Sequence, residues 1–419
     1  MMFKLHIFIF IIPFFISCNN NKIDSRYSFG RNEGEYEDLS INENSSIAII
    51  KNKVEFIKAL KNKNAVIIFE NGIYDLGIIN IDYSVIIKSK NIWNSIITGT
   101  SYFMINSNKV SIIGFRFENG ASPSGGINNY ERYGSVVIHS DSVNIINNYF
   151  ENVGIGSTIE DKTGITIHIN KSMYTLIKNN IFNNSHSIAI KTDDFSKNIQ
   201  IINNNFTNSK DFGGAGEVVH IGDANSVKQG VSPTFDETNL LFKNNFISNW
   251  NLELELISIK SDNNIIEENY IENCNNSAIV VRMGNRNIIR KNKMIGNKQY
   301  PVRISGENNL ISENFFCGEG NIVSFHSERA YNLSRTDLYN SYWAANFNII
   351  KSNTYYGYDS MIHYNINGFS GEPDFFVSTP KENQIVNNIF YSKKKLNNIS
   401  DLNTLIKNNI EHISKQKCN

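Results

Sequence analysis

Two glutamates two residues apart, Glu253 and Glu255, stand just ahead of Lys260 in the run Asn-Leu-Glu-Leu-Glu-Leu-Ile-Ser-Ile-Lys-Ser. A spacer later comes Val-Val-Arg-Met-Gly, which holds Arg282. Apolar and polar residues alternate in the first run, the period of a half-buried strand. Carboxylates two apart on a strand share a face. Side by side they repel unless a cation or hydrogen bonds compensate, and a hard cation such as calcium is bound by such oxygen donors. The same charges also suit a solvated sheet face. From these residues alone both readings stand, and a single lysine or arginine on a strand is equally a surface side chain or an ion-pair partner.

Such groups act together only if the chain stacks them, and an internal repeat does so. A motif of Asn followed within two residues by an aromatic or aliphatic residue recurs as Asn148-Tyr149-Phe150, Asn180-Ile181-Phe182, Asn205-Phe206, Asn245-Phe246, Asn269-Tyr270-Ile271, Asn292-Lys293-Met294, Asn314-Phe315-Phe316, Asn353-Thr354-Tyr355 and Asn388-Ile389-Phe390. Gly114-Phe115-Arg116-Phe117 is a degenerate copy. From Asn269 to Asn292 to Asn314 the steps are 23 and 22 residues (292 − 269 and 314 − 292). Short strands at this period predict an all-β fold, a single-stranded right-handed parallel β-helix with short helical end caps. A Leu-x-x-Leu-x-Leu frame is absent, which excludes leucine-rich repeats. Val54–Leu60 has helical spacing and predicts one cap. The tail from Lys393, with Leu402 to Ile413, predicts the other. Strands are expected at Ala65–Phe69, Ile78–Ile81, Val85–Ile87 and Ser95–Ile97. Insertions at 211–239 and 318–345 are the expected functional loops. Within them, the stretch from His326 to Trp343 reads equally as a sugar-groove wall or a packed loop. On stacked coils Lys260, Arg282 and Arg303 fall about one coil apart, on rungs roughly 4.8 Å apart. They make a short ladder of cations that a polyanion can bridge.

At this point the sequence resembles a known family. Glu253-Leu-Glu255-Leu-Ile-Ser-Ile-Lys260-Ser, then Val-Arg282-Met-Gly284 and Val302-Arg303-Ile304-Ser-Gly306, are similar to the motifs of polysaccharide lyase family 6, which holds alginate lyases and chondroitinase B. Gly216-Glu217-Val-Val-His220-Ile-Gly222 and the stretch Ile97 to Gly120 resemble two further coils of that family. The resemblance covers roughly residues 50–320. It implies β-elimination on a uronate polysaccharide, with Glu253 and Glu255 as Ca2+ ligands, Lys260 as general base, Arg282 in the role described as general acid and Arg303 binding the acidic sugar. The sequence departs from the pattern at three places. Gly214, beside Ala215, stands where the family has its third calcium ligand, an Asn. His220 replaces an arginine, in a coil close to the two glutamates, and is expected to meet substrate. Met283 replaces a histidine. The other histidines, His139, His168 and His186, are scattered over different coils and read as strand or turn residues. Alginate is the expected substrate. Dermatan sulfate is the alternative, a catalytically impaired carbohydrate-binding β-helix a second, and a purely structural surface solenoid a third.

The bulk composition agrees with this reading. The chain has 419 residues, a formal net charge of zero and 6 prolines. Balanced charge gives no case for nucleic acid, and the expected partner is an acidic polysaccharide held in a local basic groove. Cys18, Cys274, Cys317 and Cys418 show no CxxC spacing, so neither a zinc site nor a disulfide scaffold is expected, and Cys274 and Cys317 read as buried small residues. Lys4, the apolar Ile7 to Ile16 and Ser17-Cys18 resemble a lipoprotein signal. The expected organisation is a signal over 1–18, a tether over 19–46 and a β-helix lyase domain over 47–419. The mature protein is expected to be a monomer, exported and held to an outer-membrane, cell-surface or periplasmic face by lipid on Cys18.

Overall fold

The computed structural model describes residues 45–413 apart from 100, 121–134, 154–163, 187, 194, 211–215, 224–235, 277, 327, 330–343, 366–375, 394 and 397–403. The expected signal, the expected tether up to residue 44, Cys18, Gly214, Ala215 and most of both long insertions therefore lie outside the described residues.

Three long sheets of 14, 11 and 13 strands run the length of the body, every pairing within them parallel. The chain visits them in turn. Ile86–Ser89 lies in the first sheet, Ser95–Ile97 in the third and Tyr102–Ile105 in the second, and the next coil repeats the sequence. This is a parallel β-helix, and the short apolar runs dictate it. No coil has a second layer of its own, so inward residues are buried by the coils above and below. Phe117, Phe150, Phe182 and Phe206 make one such column, with ring centroids 4.7–4.8 Å apart and planes within 13° of parallel.

The asparagine motif is the turn between the first and third sheets. Asn148, Asn180, Asn204, Asn245 and their successors through Asn409 are stacked. From Asn180 onward, the Oδ1 of each accepts the backbone N–H and the Nδ2–H of the asparagine one coil before. The residue ahead of each adopts the left-handed conformation, often Asn itself, as at Asn147, Asn179, Asn203 and Asn244. Register corrects one copy of the motif: Phe206 pairs with Ile247, so the ladder member is Asn204, and Asn205 opens the strand. In the degenerate copy Phe115 stands at the ladder position, and its N–H donates to Asn148 Oδ1 at 3.0 Å.

The N-terminal cap is a helix, Lys53–Ala59. Asn52 is its N-cap, and Phe56 and Ala59 are buried. Phe56 meets Phe69 edge to face at 4.8 Å. The expected C-terminal helix is not formed. Thr404–Lys407 and Ile410–Ile413 are strands that pair with Asn383–Val386 and Ile389–Ser392. Asn409 between them completes the ladder, and that capture by the stack outweighs the local helical spacing. Cys274 is free and buried, but Cys317 is disulfide-bonded, against the sequence expectation.

Candidate active site

The outward face of the second sheet carries the candidate residues in columns. One column runs His168, Lys191, His220, Ser258, Val280, Arg303, Ser324 and His363, each in register with the next. Two residues further along the strands Lys260 and Arg282 occupy adjacent rungs, their amides bonding to Ile221 and Ile259 of the preceding coils at 2.8 and 2.9 Å. The three cations expected as one ladder therefore stand on two columns, with Arg303 displaced toward the strand starts. Gly284 and Gly306 follow Arg282 and Arg303. A Cβ at either would collide with the backbone carbonyl of the coil beneath, Ser261 or Gly284, and both have positive φ.

Glu253 and Glu255 do not share one regular strand. The strand is Glu255–Ile259, and its register breaks between Glu255 and Ile257. Ile257 and Ile259 point into the core while Ser258 and Lys260 face out, so strict alternation would bury Glu255 inward. The bulge at Leu256 reverses its parity and turns its carboxylate onto the outward face, a common use of bulges beside sites. There Ser258 Oγ donates to Glu255 Oε2 at 2.6 Å. Arg303 Nη2 lies 2.5 Å and Arg282 Nη1 3.7 Å from Oε1. Although burial opposes ionisation, Arg303, Arg282, the serine and Lys260 hold the Glu255 carboxyl down at about 2. The arginine expected to bind substrate thus also anchors Glu255.

Glu253 precedes the strand and accepts the Gly216 N–H at 3.1 Å. Its carboxyl is pushed up to about 7 by burial and by the neighbouring Glu217 and Glu255, against the Gly216 bond and Arg282. Incompletely compensated negative charge on carboxylate oxygens is donor chemistry that fits a hard cation. Among the described residues no three His, Cys, Asp or Glu side chains converge to hold a metal ion by themselves. A cation on Glu253 and Glu255 would need further oxygen ligands beside these two carboxylates.

Lys260 is 9% exposed. His220 Nε2 lies 3.0 Å from its Nζ. His220 Nδ1 lies 3.0 Å from Glu217 Oε1, and Nε2 lies 3.4 Å from Asp223 Oδ1, which also pairs with Lys191 at 3.1 Å. The histidine expected to meet substrate is therefore buried, with both ring nitrogens engaged among Glu217, Asp223 and Lys260. Met283 is buried in the wall. Glu217, Asp223 and Ser258 received no role from the sequence. Glu217 is legible only as the acid three residues before His220, and Ser258 only once the bulge is known. His186, on an earlier coil, has its Nε2 2.8 Å from Asn152 Oδ1 and takes no part in the cluster. His326 lies at the end of the strand after Arg303's, and burial first, then Arg303 and His363, lower its imidazole to about 3.

The fold recurs among solved polysaccharide lyases. An alginate lyase of family 6 in complex with a trisaccharide superposes with TM-score 0.70 at 18% identity, over 88% of this chain and 85% of that one. A family 6 polysaccharide lyase from Pseudopedobacter saltans gives 0.69 at 16%, over 87% and 92%. A mannuronic acid specific family 6 lyase from human gut microbiota gives 0.66 at 15%, over 86% and 83%. No curated protein sequence matches. The family model described as chondroitinase B matches residues 48–418, from the first strand to the end of the stack, and the chain belongs to that family, polysaccharide lyase family 6, and is a polysaccharide lyase.

Proposed function

We propose that the enzyme cleaves alginate by β-elimination, with Lys260 as the base. The observation that carries this reading is the placement of Lys260 and Arg282 on adjacent rungs beside the Glu255–Arg303 pair. A uronate C5 proton is weakly acidic because the carbanion forms next to a carboxylate. The site must offset that charge, and Arg282, 27% exposed, faces the groove to do so. Lys260 Nζ takes the C5 proton. The C5–H electrons become the C4–C5 double bond, the C4–O glycosidic bond breaks, and the leaving oxygen takes a proton from water under the Arg282 guanidinium. Arginine itself stays protonated, because its pKa exceeds about 12. Calcium on Glu253 and Glu255 would supply Lewis-acid neutralisation of the substrate carboxylate. Arg303 keeps Glu255 ionised and orients it.

Alginate is favoured because two of the solved relatives above are an alginate lyase and a mannuronic acid specific lyase. Dermatan sulfate is the second reading, favoured by the chondroitinase B family model. Absorbance near 235 nm, which follows the new double bond, decides between them: a rise on alginate alone supports the first reading and a rise on dermatan sulfate alone the second. Binding of polymer without any rise would instead mean an impaired carbohydrate-binding protein. We further propose that lipid on Cys18 anchors the exported enzyme. Labelled palmitate should enter the wild type and be lost in Cys18→Ala; equal labelling of the two would contradict the anchor.

A further inference from the structure

We propose that His220 is the positioning residue of Lys260: an imidazole fixed by Glu217 that takes up the proton the lysine must shed before it can act as a base. The inference rests on the reading of Lys260 as base and goes beyond it. It replaces the substrate-contacting role that the sequence assigns to His220.

Three observations carry it. First, the three groups lie in line. Glu217 Oε1 to His220 Nδ1 is 3.0 Å and His220 Nε2 to Lys260 Nζ is 3.0 Å. With the proton on Nδ1, toward Glu217, the Nε2 lone pair faces the lysine. Second, the relay is buried, with Glu217 at 3%, His220 at 7% and Lys260 at 9% exposure, so a proton leaving Nζ finds Nε2 more readily than bulk water. Third, a carboxylate stands at each ring nitrogen, Glu217 Oε1 at Nδ1 and Asp223 Oδ1 3.4 Å from Nε2. Glu217 and Asp223 face the ring, and both carboxyls are held below their ordinary range, with the hydrogen bond to His220 the first influence to oppose burial. The other groups facing the ring are Lys191, in register on the preceding strand and paired with Asp223, Lys260 itself and, one strand further back, His168. Ser258 stands in register on the following strand.

The proton balance is simple. A Lys260 N–H bond breaks and an Nε2–H bond forms, leaving a neutral amine and an imidazolium between two carboxylates. The amine takes the C5 proton as the glycosidic bond breaks. The imidazolium passes its proton to solvent by way of Asp223, which lies 3.4 Å from Nε2 and is 21% exposed, and the pair is reset. An arginine, the residue the family pattern has at this place, cannot accept that proton.

The test is His220→Gln, read in two ways. In the lyase assay we expect kcat to fall at least tenfold with KM changed less than threefold, and the rising limb of kcat against pH to move to higher pH, because Lys260 must then lose its proton unaided. Full return of kcat at high pH would separate this from a merely structural loss. A risen KM with unchanged kcat and limb would overturn the proposal and return His220 to substrate binding. The second readout needs no turnover. Cyanate carbamoylates only neutral amines, and peptide mass spectrometry can compare Lys260 with the exposed Lys51 at pH 7. We expect Lys260 to react at least tenfold faster in the wild type and to lose that advantage in His220→Gln. Equal rates for Lys260 in the two proteins would overturn the proposal. Failure of the parent reading is distinguishable, since it appears as undiminished lyase activity in Lys260→Ala.

Discussion

At the scale of single residues the site turns on how charge is compensated. Glu255 is satisfied by two arginines and a serine, while Glu253 keeps a carboxyl that titrates at about 7. Calcium should therefore stabilise the folded protein at pH 8, raising the Tm by several degrees at concentrations far above Kd. The gain should shrink below pH 6, where protons compete for Glu253, and vanish in Glu253→Gln. A Tm at pH 8 that is indifferent to both calcium and chelator would rule out a cation held there. The sequence made the pair of glutamates visible but for an incomplete reason. Alternation puts Glu253 and Glu255 on one face, yet it puts Lys260 on the other. Only the bulge between Glu255 and Ile257 brings carboxylate and lysine to the same side. A one-residue shift in parity leaves no mark in a run of alternating apolar residues. Nor does the partnership of Glu217, His220 and Lys260, which depends on stacking across 40 residues of chain between histidine and lysine.

At the scale of elements the asparagine ladder holds the coils in register. Asn269 illustrates its weight. Its Nδ2 donates to Phe242 O and to Asn292 Oδ1, and its Oδ1 accepts from the backbone and side chain of Asn245, all in the interior. Replacing it by alanine strands several buried groups, each worth about 1–3 kcal/mol when left unpaired. Asn269→Ala should lower the urea midpoint sharply, by the equivalent of roughly 3 kcal/mol or more. Asn205→Ala, at the strand position beside the ladder, should be much milder, and equal losses at the two positions would deny the ladder its role. The repeat was legible because the turn demands one residue type at one place in every coil. The C-terminal element was not. Leu402 to Ile413 has helical spacing, but an open stack offers parallel pairing and an asparagine rung, and Thr404–Lys407 and Ile410–Ile413 take it. The disulfide at Cys317 escaped because no close cysteine spacing marks it in the sequence.

At the scale of the whole molecule, stability against acid follows from histidines buried along the second sheet. Burial lowers His168 to about 4 and His326 to about 3, each 9% exposed. Both stay neutral in the native state while the unfolded chain binds protons below about pH 6.5. The unfolded state therefore gains as pH falls, on the order of 1–2 kcal/mol per site by pH 5. Glu253, Asp262 and Asp193 work in the opposite sense, since burial raises their carboxyls and so favours the fold at lower pH, while the burial-lowered His186 and His363 act with His168 and His326. Between pH 7.5 and pH 5 the urea midpoint of His168→Gln should shift in the stabilising direction relative to the wild type; the same pH dependence in both proteins would contradict the burial of a neutral His168. The same long face carries Lys260 and Arg282 on adjacent rungs, and in the proposed reaction this lysine eliminates rather than water hydrolysing the bond. The most direct measurement is the mass of oligosaccharides released from alginate by the wild type and by Lys260→Ala. Products one water lighter than hydrolysis would give, present with the wild type and absent with the variant at unchanged Tm, are the predicted result. Hydrated products, or the same unsaturated products from Lys260→Ala, would contradict it.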